Sequence, residues 1–367
     1  MNLEQLFFKL LSFRSITPSD GGAFDFIKSY MQGWDFVDVN VEDTKNLIIY
    51  KKFGDGIHLS FAGHIDVVPA DKGWDSDPFI PTKKDGFIYA RGTQDMKSGV
   101  CAFLSACRDI REFNGTISML LTSDEEGEGT YGSIKILEYL KKENFLPDAV
   151  VVAEPTCDKI FGDSIKVGRR GSINGVLEIF GRGGHAAYPE KSKNTIHEIA
   201  PLLDKLAGHL FDDGDEFFAP SQLVLTDIRS GLEVTNVTPG YLKLMFNVRN
   251  STKTKKEDVE TYIKELLKEC EFKLKLTQGS FPFITDKNSL LIKNMTKSVE
   301  KILHLKPDHS TAGGTSDARH MGSFGIDVVE FGVINDRIHA PNERVDFSEV
   351  EGLERVFREL IKLYSKD

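Results

Sequence analysis

Cysteine is scarce in this chain. Its 367 residues include four, Cys101, Cys107, Cys157 and Cys270, and no two of them form a CxxC pair. So few thiols in so long a chain exclude a disulfide framework. We expect reduced, partly buried cysteines that serve as packing residues.

Long apolar runs are also absent. No stretch approaches the roughly 18 consecutive apolar residues that span a bilayer, and the N-terminal segment carries Glu4 and no small-residue cleavage site. We therefore expect a cytoplasmic protein with no membrane partner. The N-terminal segment predicts a docked amphipathic helix, because apolar residues recur at helical spacing at Leu3, Leu6, Phe7, Leu10 and Leu11.

Positive charge is in deficit. The 46 basic side chains are outnumbered by 56 acidic ones, for a net charge of -10, which argues against a broad nucleic-acid or anionic-membrane surface. A small-molecule substrate is the better expectation. The composition, 40% hydrophobic and 28% charged, is typical of a globular protein. The length exceeds the roughly 250–300 residues at which one core stops growing, which predicts two domains.

Four short, almost wholly apolar segments predict strands that are buried on both faces of a sheet. They are IHLSFAG (57–63), TISMLLTS (116–123), DAVVVA (148–153) and DVVEFGV (327–333). A helical pattern over 96–113 lies between the first two. This alternation predicts an α/β domain.

The segment 171–283 has a different pattern. Its predicted order is strand, helix, strand, strand, helix, strand, which is that of a ferredoxin-like α+β unit. We therefore predict a first domain in two parts, 1–170 and 284–367, with residues 171–283 inserted between them. Apolar and polar residues alternate along the strand at 241–249. Such a sheet has one open face, and an open face or edge favours pairing with a second copy of the chain.

Acidic and histidine residues follow the apolar strands directly. In open α/β sheets ligands lie outside the carboxyl ends of the strands, so these side chains are candidates for one site. They are His64 and Asp66 after the first strand, Asp124, Glu125 and Glu126 after the second, Glu154 after the third and His339 after the last.

Each of these residues also has an ordinary explanation. Asp95 suits the first turn of a helix, the TSDEEGEG segment (122–129) suits a solvated loop, and His339 suits a turn with prolines. Taken together they predict a metal centre, in which the Asp95 carboxylate could bridge two cations and Asp66 could orient His64. Nitrogen and oxygen ligands without thiolate allow zinc, cobalt or manganese, with zinc first.

Ten segments resemble, in order, the motifs of the M20 family of di-zinc aminoacyl hydrolases. They are GHIDVVP, GWDSDPF, YARGTQDMKSG, LTSDEEG, AEPT, VGRRGS, GRGGHAAYP, FNVR, GGTSDAR and IHAPNE. The resemblance runs essentially from end to end. It implies a metallopeptidase-like catalytic domain, with a mixed, mainly parallel sheet flanked by helices, and an inserted dimerisation domain.

The resemblance also implies roles for the candidate residues. Two zinc ions per subunit, which cobalt or manganese can replace, would be held by His64 and Glu154, by Glu126 and His339, and by Asp95 as a bridge. Asp66 would steer His64, and Glu125 would be the general base. His185 would be supplied by the partner subunit of a homodimer to stabilise the oxyanion.

The implied reaction is hydrolysis of N-succinyl-LL-2,6-diaminopimelate. Deacylation of another N-acyl amino acid, such as acetylornithine, is the alternative, and a non-catalytic binding protein on the same fold is a third. Arginine suits bidentate capture of the succinyl carboxylate. The chain departs from the family pattern at Gln94, Thr235 and Ile65. Positions that match substrate-binding residues are Arg169, Tyr188, Asn236, Arg249, Gly314, Thr315 and Asn335.

Overall fold

The computed structural model describes residues 1–314 and 316–365, which divide into two compact units. The first consists of Met1–Gly168, Ile284–Ser310 and the segment that begins at Ser316. The second consists of Arg169–Phe283 and a short segment that begins at Thr311. Thr311 was assigned to the catalytic domain from the sequence. It is grouped with the second unit, where its hydroxyl donates to the carbonyl of Phe217.

Helices and strands alternate along most of the chain. Residues 1–169 contain α1 (Leu3–Leu11), α2 (Ala23–Tyr30), β1 (Asp35–Asp38), β2 (Asn46–Lys52), β3 (Ile57–His64), β4 (Thr82–Lys84), β5 (Phe87–Tyr89), α3 (Lys97–Arg108), β6 (Gly115–Thr122), α4 (Ser133–Lys142), β7 (Ala149–Val152), β8 (Ser164–Lys166) and β9 (Gly168–Arg169). Residues 170–282 contain β10 (Ser172–Phe180), β11 (Gly184–His185), α5 (Thr195–Ile199), α6 (Leu203–Leu206), β12 (Gln222–Ser230), β13 (Val237–Thr238), β14 (Tyr241–Arg249), α7 (Lys256–Leu266) and β15 (Glu271–Ser280), with 3-10 turns at Pro189–Lys191 and Ala200–Leu202. The remainder contains β16 (Phe283–Ile284), α8 (Leu290–Leu303), β17 (Asp308–Ser310), α9 (Ala318–Ser323), β18 (Asp327–Glu330), β19 (Arg344–Asp346) and α10 (Phe347–Tyr364).

The first unit is built on an eight-stranded sheet of order β1-β2-β6-β3-β7-β18-β8-β17. The four strands predicted from apolar segments form its centre, where β6, β3, β7 and β18 are parallel neighbours. At the edges β2 runs antiparallel to β6, and β8 runs antiparallel to β18. This mixed sheet confirms the predicted α/β class. Because the central strands are parallel, all four end at the same edge.

Two helices that pack in the first unit follow the sequence pattern. The first, α1, buries Leu6, Phe7, Leu10 and Leu11, as predicted for the N-terminal segment. The second, α3, buries nearly all its residues. It ends at Arg108, whereas the pattern extended the helix to residue 113.

The second unit has a four-stranded antiparallel sheet of order β12-β14-β10-β15. This is the strand order of the ferredoxin-like unit that the sequence predicts. The predicted first helix was wrong in one respect, because it divides into α5, a 3-10 turn and α6. Pro201 lies in that 3-10 turn, and proline removes a backbone donor that a continuous helix needs.

The four cysteines are unpaired, and three of them are buried, as expected. Among the described residues, no helix is both long enough and apolar enough to cross a membrane.

We expect Gly99→Ala to destabilise the first unit. A Cβ at Gly99 in α3 would lie 2.3 Å from the carbonyl oxygen of Ala153 and 2.4 Å from its Cβ, so α3 would have to move away from the end of β7. The free energy of unfolding in urea should fall by about 3 kcal/mol. Ser105→Ala, on the same helix, should cost only about 1 kcal/mol for one hydrogen bond. Equal losses in the two variants would contradict the close packing.

Candidate metal centre

The strand register brings the candidate residues together. On β3, His64 lies opposite Thr122 of β6, and Ala62 lies opposite Val152 of β7. Each chain segment therefore leaves the sheet at the same level. Glu125 and Glu126 follow β6 by a few residues, and Glu154 follows β7.

His64 lies at the centre of the cluster, with 1% of its side chain exposed. Its Nδ1 donates to the backbone carbonyl of Asp66 at 2.9 Å. That bond turns Nε2 towards the carboxylates, with Asp95 Oδ1 at 3.1 Å and Glu154 Oε1 at 3.7 Å. The ring therefore presents one nitrogen to the site and uses the other for anchoring.

The Asp95 carboxylate lies between the two histidines. Its Oδ1 faces His64, and its Oδ2 is 3.2 Å from Nε2 of His339. The same His339 nitrogen is 3.0 Å from Oε1 of Glu126. One oxygen thus points to each half of the cluster, which is the arrangement that a bridging carboxylate requires.

Glu125 and Glu126 are adjacent in sequence and diverge in space. Glu126 contacts His339, whereas Oε2 of Glu125 is 3.8 Å from Nε2 of His64. The turn that carries them is held by the buried Asp66 carboxylate, which accepts the amide N–H groups of Glu125 at 3.4 Å and Glu126 at 3.1 Å. Asp66 was expected to orient His64 through its carboxylate. Its carbonyl makes that contact, and the carboxylate lies 3.6 Å from Nδ1.

Burial and mutual repulsion raise the pKa values of several carboxyl groups. Burial first, then the nearby Asp95 charge, raises the pKa of Glu154 well above its ordinary range. Burial, together with Asp317, Asp95 and Glu126, raises the pKa of Glu125 to about 8, although His64 opposes the shift. Burial would also raise the pKa of Asp95, but hydrogen bonds from His339 and His64 outweigh it and lower that pKa.

The two histidines respond in the opposite sense. Burial alone would lower the pKa of His64, but Asp95, Glu125 and Glu154 together raise it well above its usual value. Hydrogen bonds to Asp95 and Glu126 raise the pKa of His339 to about 10. The cluster therefore attracts positive charge, and the imidazoles within it supply part of that charge.

These residues fit a cation site. His64, Glu125 and Glu154 offer ligand atoms within 4.8 Å of one another, and so do His64, Asp95 and Glu126. The donors are nitrogen and oxygen atoms, as zinc, cobalt and manganese accept. A cation would also relieve the repulsion that raises the pKa values of Glu125 and Glu154.

A family model for peptidase family M20/M25/M40 matches residues 60–363. The chain belongs to this family. The predicted family and the hydrolase class that goes with it are therefore confirmed.

Two relatives within the M20 family cover almost the whole chain. A succinyl-diaminopimelate desuccinylase of Sulfurimonas denitrificans is 58% identical over 98% of this chain and 99% of its own length. One of Aliarcobacter butzleri is 59% identical over 99% of this chain and 100% of its own.

Solved M20 structures share the fold at low identity. Aminopeptidase PepT of Bacillus cereus has a TM-score of 0.81 at 20% identity, with coverage of 99% of this chain and 98% of its own. A dinuclear metal-binding M20 peptidase of Bacillus subtilis has a TM-score of 0.68 at 15% identity and covers 99% of both chains.

His185, predicted as a catalytic residue, and most of the predicted substrate-binding residues of this M20 chain lie in the second unit. His185 on β11 pairs with Val237 on β13, and Tyr188 stacks edge-on against the His185 ring at 5.8 Å. The carbonyl of Asn236 accepts the amide of Ala186 at 3.0 Å, so these predicted residues share one surface.

The remaining predicted residues are placed separately. Arg169 is buried and donates to the carbonyl of Ala312 at 3.1 Å, near Gly314 in sequence. Arg249 lies exposed at the end of β14. In the first unit, the Asn335 amide donates to the carbonyl of Cys157 at 3.1 Å. Thr315 lies outside the described residues.

Sequence reasoning missed two residues that support this M20 site. Arg91 and Glu343 form a buried ion pair at 2.8 Å, in which Arg91 also donates to the carbonyl of His339 and Glu343 accepts the amide of Asp95. They lie inside the motifs YARGTQDMKSG and IHAPNE. Their 252-residue separation gave no signal that they meet.

We expect protonation of His339 to make the free energy of unfolding of chelator-treated protein depend on pH. Because its folded pKa is near 10 and its ordinary value 6.5, this stabilisation is complete below pH 6.5 and is lost as the pH rises through about 10. Urea unfolding should therefore show a smaller loss of stability between pH 7 and 10 in His339→Gln than in the wild type. His197→Gln, on α5, is the control and should match the wild type. Parallel profiles for all three proteins would contradict the assignment.

Proposed function

We propose that this chain hydrolyses N-succinyl-LL-2,6-diaminopimelate to succinate and LL-2,6-diaminopimelate, a step in lysine and diaminopimelate biosynthesis. The observation that carries the proposal is identity of 58–59%, over nearly the full length, to relatives named succinyl-diaminopimelate desuccinylase. Two groups of side chains around His64 support hydrolysis by offering ligand atoms for metal, one with Glu125 and Glu154 and the other with Asp95 and Glu126.

Two metal ions, zinc in the first instance and cobalt or manganese as substitutes, would occupy the cluster. His64 and Glu154 would hold one, Glu126 and His339 the other, and Asp95 would bridge them. When bound, such ions polarise the amide carbonyl and lower the pKa of water. Support comes from the Asp95 carboxylate, which offers one oxygen to each histidine.

Glu125 is the general base of the proposed reaction. It takes a proton from the attacking water and returns it to the amine nitrogen as the C–N bond breaks, so water is consumed and succinate and the free amine are released. Its carboxylate lies 3.8 Å from Nε2 of His64 and is not assigned as a ligand, so it is close enough to the ligands to accept a proton there and then donate it. Asp66 supports this role by holding the turn that carries Glu125.

Recognition of the succinyl carboxylate is assigned to arginine. Arg169 and Arg249 carry the bidentate donors that a carboxylate requires, with Tyr188, Asn236, Gly314, Thr315 and Asn335 as further substrate contacts. The buried position of Arg169 supports a site from which water is largely excluded.

A homodimer through the second unit completes the proposed site. His185 would stabilise the oxyanion in the active site of the partner subunit, and its exposure on β11 is compatible with that role. The edge strand β12 exposes Val224 and Ile228 by about half, as an apolar edge available for pairing would. We also propose a cytoplasmic location, which the unpaired cysteines support.

Acyl specificity tests the proposed substrate. Purified protein loaded with zinc should release succinate from N-succinyl-LL-2,6-diaminopimelate with a kcat/KM at least about 100-fold above that for acetylornithine, because an arginine site left unpaired strongly disfavours the acetyl group. Amine release measured on the two substrates side by side decides the question. Activity on the acetyl compound alone would overturn the proposal.

Substitution of the general base tests the mechanism. Glu125→Ala should lower kcat by at least about 100-fold while elemental analysis still finds two metal ions per subunit, because Glu125 is not assigned as a ligand. Glu128→Ala, an exposed acid on the same turn, should keep wild-type turnover. Unchanged kcat in Glu125→Ala, or loss of a metal ion with it, would remove the assigned role.

A further inference from the structure

The loop that carries His339 lacks regular structure of its own. It connects the end of β18 at Glu330 to the start of β19 at Arg344, and 49% of the His339 side chain is exposed. The backbone of His339 has a φ of 61°. A non-glycine residue keeps such a conformation only where its surroundings hold it. Contacts between the loop and the segment before α3 hold His339 in this conformation.

The first set of contacts between the loop and this segment is made by a side chain of the loop. The buried Glu343 directs both carboxylate oxygens at the segment that carries Asp95. One oxygen accepts the amides of Gln94 at 2.8 Å and Asp95 at 3.3 Å, and the other accepts the amide of Gly92 at 3.0 Å and the Arg91 guanidinium at 2.8 Å. The arginine neutralises the buried charge and also donates to the carbonyl of His339 at 3.2 Å.

The second set of contacts is made by a side chain of the segment before α3. The side chain of Gln94, which is 2% exposed, reaches from the segment to the loop. Its Nε2 donates to Oδ1 of Asp336 at 2.5 Å, and its Oε1 accepts the amide of Arg337 at 2.9 Å. Both ends of the amide are therefore used two and three residues before His339.

We propose that Gln94 and Glu343 are positioning residues that fasten the Asp95 segment to the His339 loop and so fix the distance between two ligands. We call this pair the clamp. It acts through backbone and loop contacts rather than on the reacting atoms, and it rests on the proposed roles of Asp95 and His339 as ligands. Gln94 is also one of the positions at which the chain departs from the M20 resemblance.

Zinc affinity tests the positioning role, because the loss of a residue that only stabilises the fold would leave the affinity unchanged. Gln94→Ala should weaken binding of the zinc ion assigned to His339 by about tenfold, as loss of an outer contact to a metal ligand does. Competition with a chromophoric chelator measures it. The matched control is Gln278→Ala in the second unit, where a glutamine donates to the carbonyl of Ser280 at 2.6 Å. That variant should lose similar stability and keep wild-type zinc affinity.

Replacing the hydrogen-bond donor of Gln94 with an acceptor tests whether this side chain acts through its hydrogen bonds or only through its packing. Gln94→Glu keeps the size of the side chain and the acceptor for Arg337, but it sets a carboxylate against Asp336, so zinc binding should weaken about tenfold. Adding Asp336→Asn restores a donor to that contact and should return the affinity to within about threefold of wild type. Zinc affinity within about twofold of wild type in both Gln94→Ala and Gln94→Glu would overturn the clamp.

Hydrogen exchange tests the clamp independently of the proposed function. The Arg337 amide, which donates to Gln94, should exchange faster in chelator-treated Gln94→Ala than in chelator-treated wild type. If the wild type binds no zinc, the proposed function fails. The exchange rate of the Arg337 amide is then the only test of the clamp. Unchanged protection at Arg337 would then overturn it.

Discussion

Buried negative charge at the carboxyl edge of the large sheet is the constraint on which the rest of the structure depends. The carboxylates of Asp66, Asp95, Glu125, Glu126 and Glu154 lie largely out of water around two imidazoles. Carboxylates brought together in a low-dielectric site resist ionisation. The fold therefore directs its nearby donors to these groups, and the charge that is left over makes the edge a site for cations.

Parallel strands make this concentration possible. Because β6, β3, β7 and β18 run in one direction, side chains far apart in the chain leave the sheet at one edge. The second unit follows different physics, since its antiparallel sheet buries one face, around Leu177, Leu244 and Ile263. Side chains such as His185 and Arg249 lie exposed in this unit.

Two buried carboxylates have the same physical role in different places. Asp66 accepts the amides of Glu125 and Glu126, and Glu343 accepts those of Gly92, Gln94 and Asp95. In each case a buried carboxylate holds a segment that carries candidate metal ligands. The geometry of the candidate ligands therefore depends on acids that accept backbone amides, because loop residues have no ladder of hydrogen bonds of their own to fix them.

The sequence by itself determined the central strands, the order of the inserted unit and the set of candidate ligands, because apolar segments and the polar residues that follow them are local patterns. It also predicted that Asp66 lies beside His64, but not that the carbonyl makes the contact. Only the tertiary structure decided that Arg91 pairs with Glu343 and that Gln94 reaches Asp336. Those partners are more than 240 residues apart, and no local periodicity records which buried donor meets which acceptor.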